Sequence, residues 1–283
     1  MAEVAAWDRP DLNGHVAVVT GASRGVGKGV AEVLGECGAT VYVTGRSTRS
    51  SPDRGGRPGT VEETAELVTV AGGNGIAAVC DHGDERQVDA LFARVGAEQE
   101  GRLDLLVNNA WGGYEEYDSG GFSKPFWQQS PEYWDRMVDH GARFQYVAAR
   151  HAAPLMIARG QGLIIGTAAG DRGRYLGSLA YDVAKAAVIR LAFGMAIELR
   201  PHGVAAIALL PGFTRTEAVL SLYTGDLAPT HSPQYVGRAV AMLAGDRGIM
   251  GRSGEALRVA DLAESYGFVD VDGRWVPPFE LPE

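Results

Sequence analysis

The chain has 283 residues, of which 46% are hydrophobic, and 35 acidic side chains outnumber 26 lysines and arginines to give a formal charge of −9. This length and composition exclude a chain that is disordered throughout, and the acidic balance argues against nucleic-acid binding, which needs clustered cations. No apolar run reaches the roughly 18 residues of a membrane-spanning helix, and the first ten residues lack the basic and apolar segments of a signal peptide. Cys37 and Cys80 are too few for a disulfide framework and indicate a reducing compartment, so we expect a cytoplasmic protein, and the lack of an apolar run predicts no membrane contact.

Short β-branched runs alternate with helical patterns along most of the chain. The predicted order is strand 15–20, helix 25–38, strand 40–44, helix 61–71, strand 76–80, helix 85–98, strand 103–107, an irregular segment 111–130, helix 131–158, strand 162–166, helix 180–199, strand 203–209, helix 233–243 and strand 255–259. Such alternation is typical of βαβ units. We therefore predict a single α/β domain over residues 1–283 with a doubly wound parallel sheet, a core over about 13–260 and a polar C-terminal extension over 261–283.

A glycine-rich turn joins the first predicted strand to the first predicted helix. Glycine lets the backbone turn sharply and approach a ligand closely, and the free N–H groups and dipole at a helix start favour an anion. This placement predicts a dinucleotide diphosphate site, whereas a ligand-free βα turn is the alternative. The expected binding residues are Gly21, Ser23, Arg24, Gly25, Val26 and Gly27.

The end of the second strand indicates which dinucleotide binds. Residues 41–47 contain no acidic side chain that could bind a ribose 2′-hydroxyl, and Arg46 stands there instead. A guanidinium can bind a 2′-phosphate through two hydrogen bonds, and Arg24 could supply a second cation. We therefore expect NADP(H) rather than NAD(H), unless both arginines are merely solvated. Three residues at later strand ends are expected in the same crevice: Asp81, Asn109 and Ala110.

Tyr181 and Lys185 lie four residues apart, on one face of the helix predicted from residue 180. A phenol with an ordinary pKa of about 10 is a poor acid or base at neutral pH, and a nearby ammonium lowers that pKa. Reduction of a carbonyl by a nicotinamide needs a proton donor. The pair therefore predicts Tyr181 as general acid/base and Lys185 as the residue that lowers its pKa. A tyrosine and a lysine on an exposed helix face are the alternative.

Four motifs together resemble the short-chain dehydrogenase/reductase superfamily: Thr20-Gly21-x-x-x-Gly25-x-Gly27, Asn108-Asn109-Ala110, Tyr181-x-x-x-Lys185 and Pro211-Gly212-x-x-x-Thr216. The resemblance implies a Rossmann-like fold with about seven parallel strands and hydride transfer between nicotinamide and a carbonyl or alcohol substrate. It also implies that Lys185 holds the nicotinamide ribose and that the helix over 180–199 forms the interface of a homodimer or homotetramer. The further cofactor-binding residues that it implies are Pro211, Gly212, Thr214 and Thr216.

Two positions depart from the family pattern. The hydroxyl residue that orients the carbonyl is expected thirteen residues before the tyrosine, where Ala168 stands. We predict that Thr167 takes this catalytic role, with Ser178 as the second candidate. An asparagine of the proton relay is expected in the long helix, at the position of Gly141. These departures keep open another class of function, an NADP(H)-binding sensor or scaffold with little or no catalysis.

Nine aromatic residues fall in segments that would wall the substrate pocket. Because pockets are mostly hydrophobic, they predict an apolar or ring-bearing substrate, unless they serve as core packing for a long loop. They are Trp111, Tyr114, Tyr117, Phe122, Phe126, Trp127, Tyr175, Phe213 and Tyr223. The six histidines show no metal-ligand spacing, so we expect no metal.

Overall fold

Seven parallel strands form one sheet in the order β3-β2-β1-β4-β5-β6-β7 in the computed structural model, which describes residues 7–52, 56–113, 124–170 and 173–280. The strands are β1 Val16–Val19, β2 Thr40–Gly45, β3 Asn74–Val79, β4 Leu105–Asn108, β5 Gly162–Thr167, β6 Val204–Leu210 and β7 Ala256–Arg258. This topology confirms the predicted doubly wound, Rossmann-like sheet in a single domain. The order reverses between β1 and β4, and ligands of such sheets bind at the carboxyl ends of strands beside such a reversal.

Helices cover both faces of the sheet. They are α1 Gly25–Glu36, α2 Val61–Val70, α3 Glu85–Glu98, α4 Pro131–Val138, α5 Phe144–Arg159, α6 Leu179–Leu199, α7 Glu217–Leu222, α8 Pro233–Gly245 and α9 Val259–Tyr266. Ala17 and Val19 of β1 pack in one buried cluster with α1, α2 and α8, whereas Val16 and Val18 pack in a second cluster with α3 and α5. Burial on both faces explains why a central strand such as β1 is continuously apolar. In the described ranges, none of the helices combines the length and the apolar character that a membrane span requires.

Side-chain caps fix where three of these helices begin. The Thr60 hydroxyl accepts from the Glu63 N–H, and the Glu63 carboxylate accepts from the Thr60 N–H, at the start of α2. Ser130 and Ser232 cap α4 and α8, whose first residue is proline in both cases. Such caps supply partners to N–H groups that the first turn leaves unpaired. The predicted starts of these helices, at residues 61, 131 and 233, therefore agree with the structure.

The single helix predicted over 131–158 is wrong in its middle, and two short helices were missed. A π-helical turn, Asp139–Arg143, separates α4 from α5. A Cβ at Gly141 would lie 2.3 Å from Cζ3 of Trp111, so the turn widens where a tryptophan packs against it. This tertiary contact leaves no periodic signal in the sequence. The missed helices are α7 and α9, which directly follow Thr216 and β7.

The C-terminal extension packs on the main core. Leu262 of α9, Phe268 and Val276 are buried in the cluster that contains α1 and α8. Asp270 is completely buried and accepts hydrogen bonds from Ser232 at the start of α8. The predicted boundary at residue 261 is not marked by a change in packing, and a division of the domain at that residue stays a prediction.

Candidate active site

The turn between β1 and α1 is held closely against the end of β4. The Asn109 amide donates to the carbonyls of Thr20 and Gly21, both at 3.0 Å, and the Thr20 hydroxyl accepts from the N–H groups of Asn109 and Ala110, both at 2.9 Å. A Cβ at Gly21 would lie 2.7 Å from the Ala110 Cα, and one at Gly27 would lie 2.5 Å from the Asn109 Nδ2. Gly21 and Gly27 are therefore required by contacts within the protein, whatever ligand the turn binds.

The start of α1 binds a carboxylate of the protein itself. The Gly25 N–H donates to Glu217 Oε2 at 2.9 Å, whereas the side chain of Arg24, the N-cap residue, makes no capping hydrogen bond. Gly25 has a φ of +60°, a conformation that favours glycine. An anion at this N-terminus is what the helix dipole favours. The site expected for a cofactor diphosphate thus has the donors and the space for an anionic group, and Glu217 occupies it in this structure. No sequence pattern predicts a functional role for Glu217.

The two arginines predicted for the 2′-phosphate have different surroundings. The Arg24 guanidinium donates to the Ser47 hydroxyl at 2.9 Å and to the carbonyls of Pro58 and Gly59 at 2.9 and 3.0 Å, so it holds a loop beside the turn. Arg46 is half-exposed at the end of β2, with Nη1 at 3.8 Å from Oδ2 of Asp81. The structure therefore brings Arg46 and Asp81 together at neighbouring strand ends.

Two further residues of the turn face inward. Ser23 is buried, and Val26 is half-buried against the main core.

The loop after β6 contains the four later residues of the predicted cofactor site. His231 Nε2 lies 2.7 Å from the Pro211 carbonyl oxygen, and Gly212 has a φ of +88°. Thr214 is buried and pairs with His231 in an isolated parallel bridge. Thr216 caps α7 by accepting from the Val219 N–H at 3.3 Å. The loop is thus fixed by His231, a residue that lies in none of the sequence motifs.

Tyr181 and Lys185 come together at the start of α6, beside Trp111. The Lys185 Nζ lies 3.8 Å from the centre of the Trp111 ring and 5.5 Å from the centre of the Tyr181 ring. The two rings meet edge to face with centres 5.7 Å apart. Lys185 is only 8% exposed, and this burial lowers its pKa from 10.5 to about 7. The lysine therefore does not lie on an exposed helix face.

The hydroxyl candidates both have protein partners. Thr167 ends β5 and donates to the Asn108 carbonyl at 3.2 Å. Ser178 Oγ lies 2.9 Å from the Tyr133 phenol oxygen. Gln145, which no sequence motif indicates, links the same strand ends because its main-chain carbonyl accepts from the Asn108 side-chain amide and its own side chain donates to the Thr167 carbonyl. Thr167 is buried at the carboxyl edge of the sheet, and its role toward a substrate stays a prediction.

The nine aromatic residues do not form one wall. Trp111 packs with Tyr181, whereas Phe213 contacts Tyr223 and Phe279 with ring centres 5.1 and 5.6 Å apart. Three more are exposed: Phe126, Trp127 and Tyr175. The remaining three lie outside the described residues: Tyr114, Tyr117 and Phe122. Among the residues that the structure describes, no group of three His, Cys, Asp or Glu side chains is arranged to hold a metal.

Comparisons with known proteins agree on one family. A family model for short chain dehydrogenase matches residues 15–226. Proteins named Dehydrogenase/reductase SDR family member 1 from Mus musculus and Homo sapiens are each 37% identical to this chain over 282 residues, which covers 95% of this chain and 87% of each relative.

Two solved structures of short-chain oxidoreductases are also similar to this chain. A metagenomic short-chain oxidoreductase in complex with NADP is 29% identical, with a TM-score of 0.69 over 88% of this chain and 98% of that one. A short chain dehydrogenase from Mycobacterium thermoresistibile is 25% identical, with a TM-score of 0.79 over 96% of this chain and 98% of that one.

Proposed function

This chain belongs to the short-chain dehydrogenase/reductase family, and from that premise we propose that it is an NADP(H)-dependent enzyme that interconverts a carbonyl and an alcohol. The observation that carries the proposal is the buried Lys185 ammonium 5.5 Å from the Tyr181 ring. A cation so close favours the phenolate and brings the phenol nearer to the range of a general acid/base. When bound, the nicotinamide supplies or takes up the hydride.

The residues of the chain act on the proton and on the carbonyl oxygen. In the reductive direction Tyr181 donates its phenolic proton to the carbonyl oxygen, and in the oxidative direction it accepts the alcohol proton. The Thr167 hydroxyl, which here donates to the main-chain carbonyl of Asn108, donates instead to the substrate carbonyl and orients it. Lys185 stabilises the phenolate and holds the nicotinamide ribose.

The crevice beside β1 and β4 contains residues that could bind each part of the cofactor. The N–H groups at the start of α1, among them the Gly25 N–H that now donates to Glu217, would hold the diphosphate together with the turn Gly21–Gly27, which includes Ser23, Arg24 and Val26. Arg46 binds the 2′-phosphate and Asp81 the adenine amino group. Four residues after β6 contact the nicotinamide end: Pro211, Gly212, Thr214 and Thr216. Asn109 and Ala110 support the turn from β4.

The preference for NADP(H) is supported by Arg46 and by the absence of an acidic side chain in residues 41–47. It is tested by the Kd values of NADPH and NADH at one salt concentration. We expect Arg46→Ala to weaken NADPH at least tenfold and to leave NADH within twofold. Arg49→Ala, which removes an exposed arginine paired with Glu66, serves as the control and should change neither. Equal affinities of the wild-type protein for the two cofactors would overturn the preference.

The remaining partners follow from the exposed and apolar surfaces. The ring pairs around Phe213 and Trp111 support an apolar or ring-bearing substrate.

Exposed apolar side chains on α6, Phe193 and Ile197, and on α5, Tyr146 and Ile157, support a homodimer or homotetramer through these helices. A monomer in sedimentation experiments at micromolar concentration would contradict that assembly. The two free, buried cysteines support a reducing compartment such as the cytoplasm.

A panel of ring-bearing and aliphatic carbonyl compounds, followed by NADPH oxidation and by detection of the alcohol, tests the proposed activity. Turnover of at least one ring-bearing carbonyl is expected. A second candidate is a cofactor-binding sensor, which Gly141 favours because the family pattern has an asparagine there. NADPH binding without turnover on any member of the panel would support the sensor and contradict the enzyme.

A further inference from the structure

Trp111 stands between the polypeptide turn after β4, the π-helical turn and the side chain of Lys185. We propose that Trp111 is a positioning residue, whose indole ring holds the Lys185 ammonium beside Tyr181 in place of hydrogen-bonding side chains. The consequence for catalysis rests on the proposed function of Tyr181 and Lys185. The contact itself does not, and it can be measured separately.

The chain is shaped to admit the indole ring. A Cβ at Gly141 would lie 2.3 Å from the Trp111 Cζ3 and 2.9 Å from its Cε3, so every other residue at 141 would displace the ring. The Gly112 N–H donates to the His140 carbonyl at 2.9 Å, and a Cβ at Gly112 would lie 2.7 Å from the His140 Cβ. Two glycines and the π-helical turn Asp139–Arg143 therefore make one slot, which the ring fills.

The ring contacts both members of the proposed catalytic pair. The ammonium lies over the indole face at 3.8 Å from the ring centre, within the range in which a cation is attracted to an aromatic face. The Tyr181 ring meets the indole edge to face, and both rings pack on Tyr133, Met137 and Ala180. One aromatic side chain thus fixes the direction of the lysine and supports the tyrosine.

Lys185 has few other favourable contacts. Over the described ranges, neither a carboxylate within ion-pair distance nor a hydrogen-bond acceptor is found for its Nζ, and loss of hydration is the sole cause of its lowered pKa. A lysine side chain has four rotatable bonds and a strongly hydrated charge, so a site without polar partners must restrain it by packing. The indole supplies that restraint and shields the ammonium from water.

The titration of Lys185 tests the contact directly in the cofactor-free protein. The chain has three lysines, Lys28, Lys124 and Lys185, so labelling with [ε-¹³C]lysine gives three NMR signals that single Lys→Met variants assign. We expect the pKa of Lys185 to rise by at least one unit in Trp111→Ala, because water reaches the ammonium, and by less in Trp111→Phe, which keeps a ring. Gly141→Ala should shift it in the same direction as Trp111→Ala, because the added Cβ displaces the indole.

Two matched variants control for the loss of a tryptophan and for the gain of a Cβ in a helix. Trp275→Leu removes a half-exposed tryptophan of the C-terminal extension, and Gly251→Ala adds a Cβ in the 3₁₀ turn Ile249–Arg252, where no atom lies within 4 Å. Both should leave the pKa of Lys185 and the activity as in the wild-type protein. Circular dichroism confirms folding of each variant, and Trp111→Phe and Gly141→Ala keep the test usable if Trp111→Ala does not fold.

Steady-state kinetics then separate positioning from mere stability. We expect Trp111→Ala to lower kcat at least tenfold and to move the acidic limb of the kcat pH profile, with Trp111→Phe within threefold of the wild-type kcat. The proposal would be overturned if the pKa of Lys185 is the same as in the wild-type protein both in Gly141→Ala and in folded Trp111→Ala. An inactive wild-type protein with the expected Lys185 shifts would instead contradict the proposed function and leave the contact supported.

Discussion

At the β1–α1 turn, main-chain atoms and glycines set the shape of the site, whereas at the start of α6 an aromatic ring does. Asn109 and Thr20 join two strand ends through hydrogen bonds to the main chain, and a Cβ at Gly27 has no space. Trp111 instead holds Lys185 by packing. Neither site has space for an added Cβ at its glycines, Gly27 in the turn and Gly141 beside Trp111, but the ring site should accept another aromatic ring at position 111. We therefore expect Gly27→Ala to destabilise the fold at the turn, whereas Lys185→Met at the start of α6 should stabilise it.

The largest effect on stability is expected at the start of α6, where Lys185→Met should stabilise the fold. The buried ammonium has a pKa of about 7 against 10.5 for an ordinary lysine, so a neutral side chain of similar size removes a desolvation cost. We expect the free energy of unfolding at pH 6.5 to rise by about 2–4 kcal/mol, while kcat falls. Urea titrations give the stability, and Lys124→Met, at an exposed position, is the control.

The pH dependence gives this prediction a second test. Below pH 7 the ammonium is charged in the folded and the unfolded chain, so the cost of burying the charge is fully present. As the pH rises from 7 toward 10.5, only the unfolded chain stays protonated, and the wild-type protein gains stability relative to the variant. The advantage of Lys185→Met should therefore shrink between pH 7 and pH 9. A constant advantage, or none at pH 6.5, would contradict the buried ammonium.

At the β1–α1 turn the expected effect is a loss of stability. In Gly27→Ala the new Cβ would lie 2.5 Å from the Asn109 Nδ2 and 2.6 Å from the Gly21 carbonyl oxygen. Overpacking of this kind costs about 1–3 kcal/mol, and NADPH binding should weaken at least tenfold. Thermal unfolding and fluorescence titration measure the two effects. Gly251→Ala adds the same carbon where there is space, so equal behaviour of the two variants would show that the turn is not tightly packed.

The smallest predicted effect concerns the carboxylate at the start of α1. Glu217 accepts from the Gly25 N–H, the donor that the proposed function assigns to the diphosphate, and a charge at a helix terminus contributes about 0.3–1 kcal/mol. Glu217→Gln should therefore tighten NADPH binding about two- to fivefold at low salt, with a smaller gain at high salt. Isothermal titration calorimetry provides the Kd, and Glu264→Gln, at an exposed site on α9, is the control. Weaker binding in Glu217→Gln would show that the carboxylate supports the cofactor site.

The sequence was sufficient where local patterns determine structure. The seven strands and the starts of α2, α4 and α8 follow from apolar runs and from capping residues such as Thr60 and Ser130. The glycine turn and the pairing of Tyr181 with Lys185 follow from spacing. The slot at Gly141 and the carboxylate of Glu217 at α1 could not be predicted, because each depends on residues about 30 to 190 positions apart that meet only in the folded chain. Trp111 was expected as a pocket wall, and its contact with Lys185 is visible only in three dimensions.

The most direct measurement is a comparison of NADPH affinity and turnover in Tyr181→Phe. The variant removes one oxygen and keeps the ring that packs against Trp111, so the site should stay intact. We predict that kcat for carbonyl reduction falls by about 10²–10⁴, while the Kd of NADPH changes by less than twofold. Turnover within threefold of the wild-type rate would contradict the assignment of Tyr181 as the acid/base.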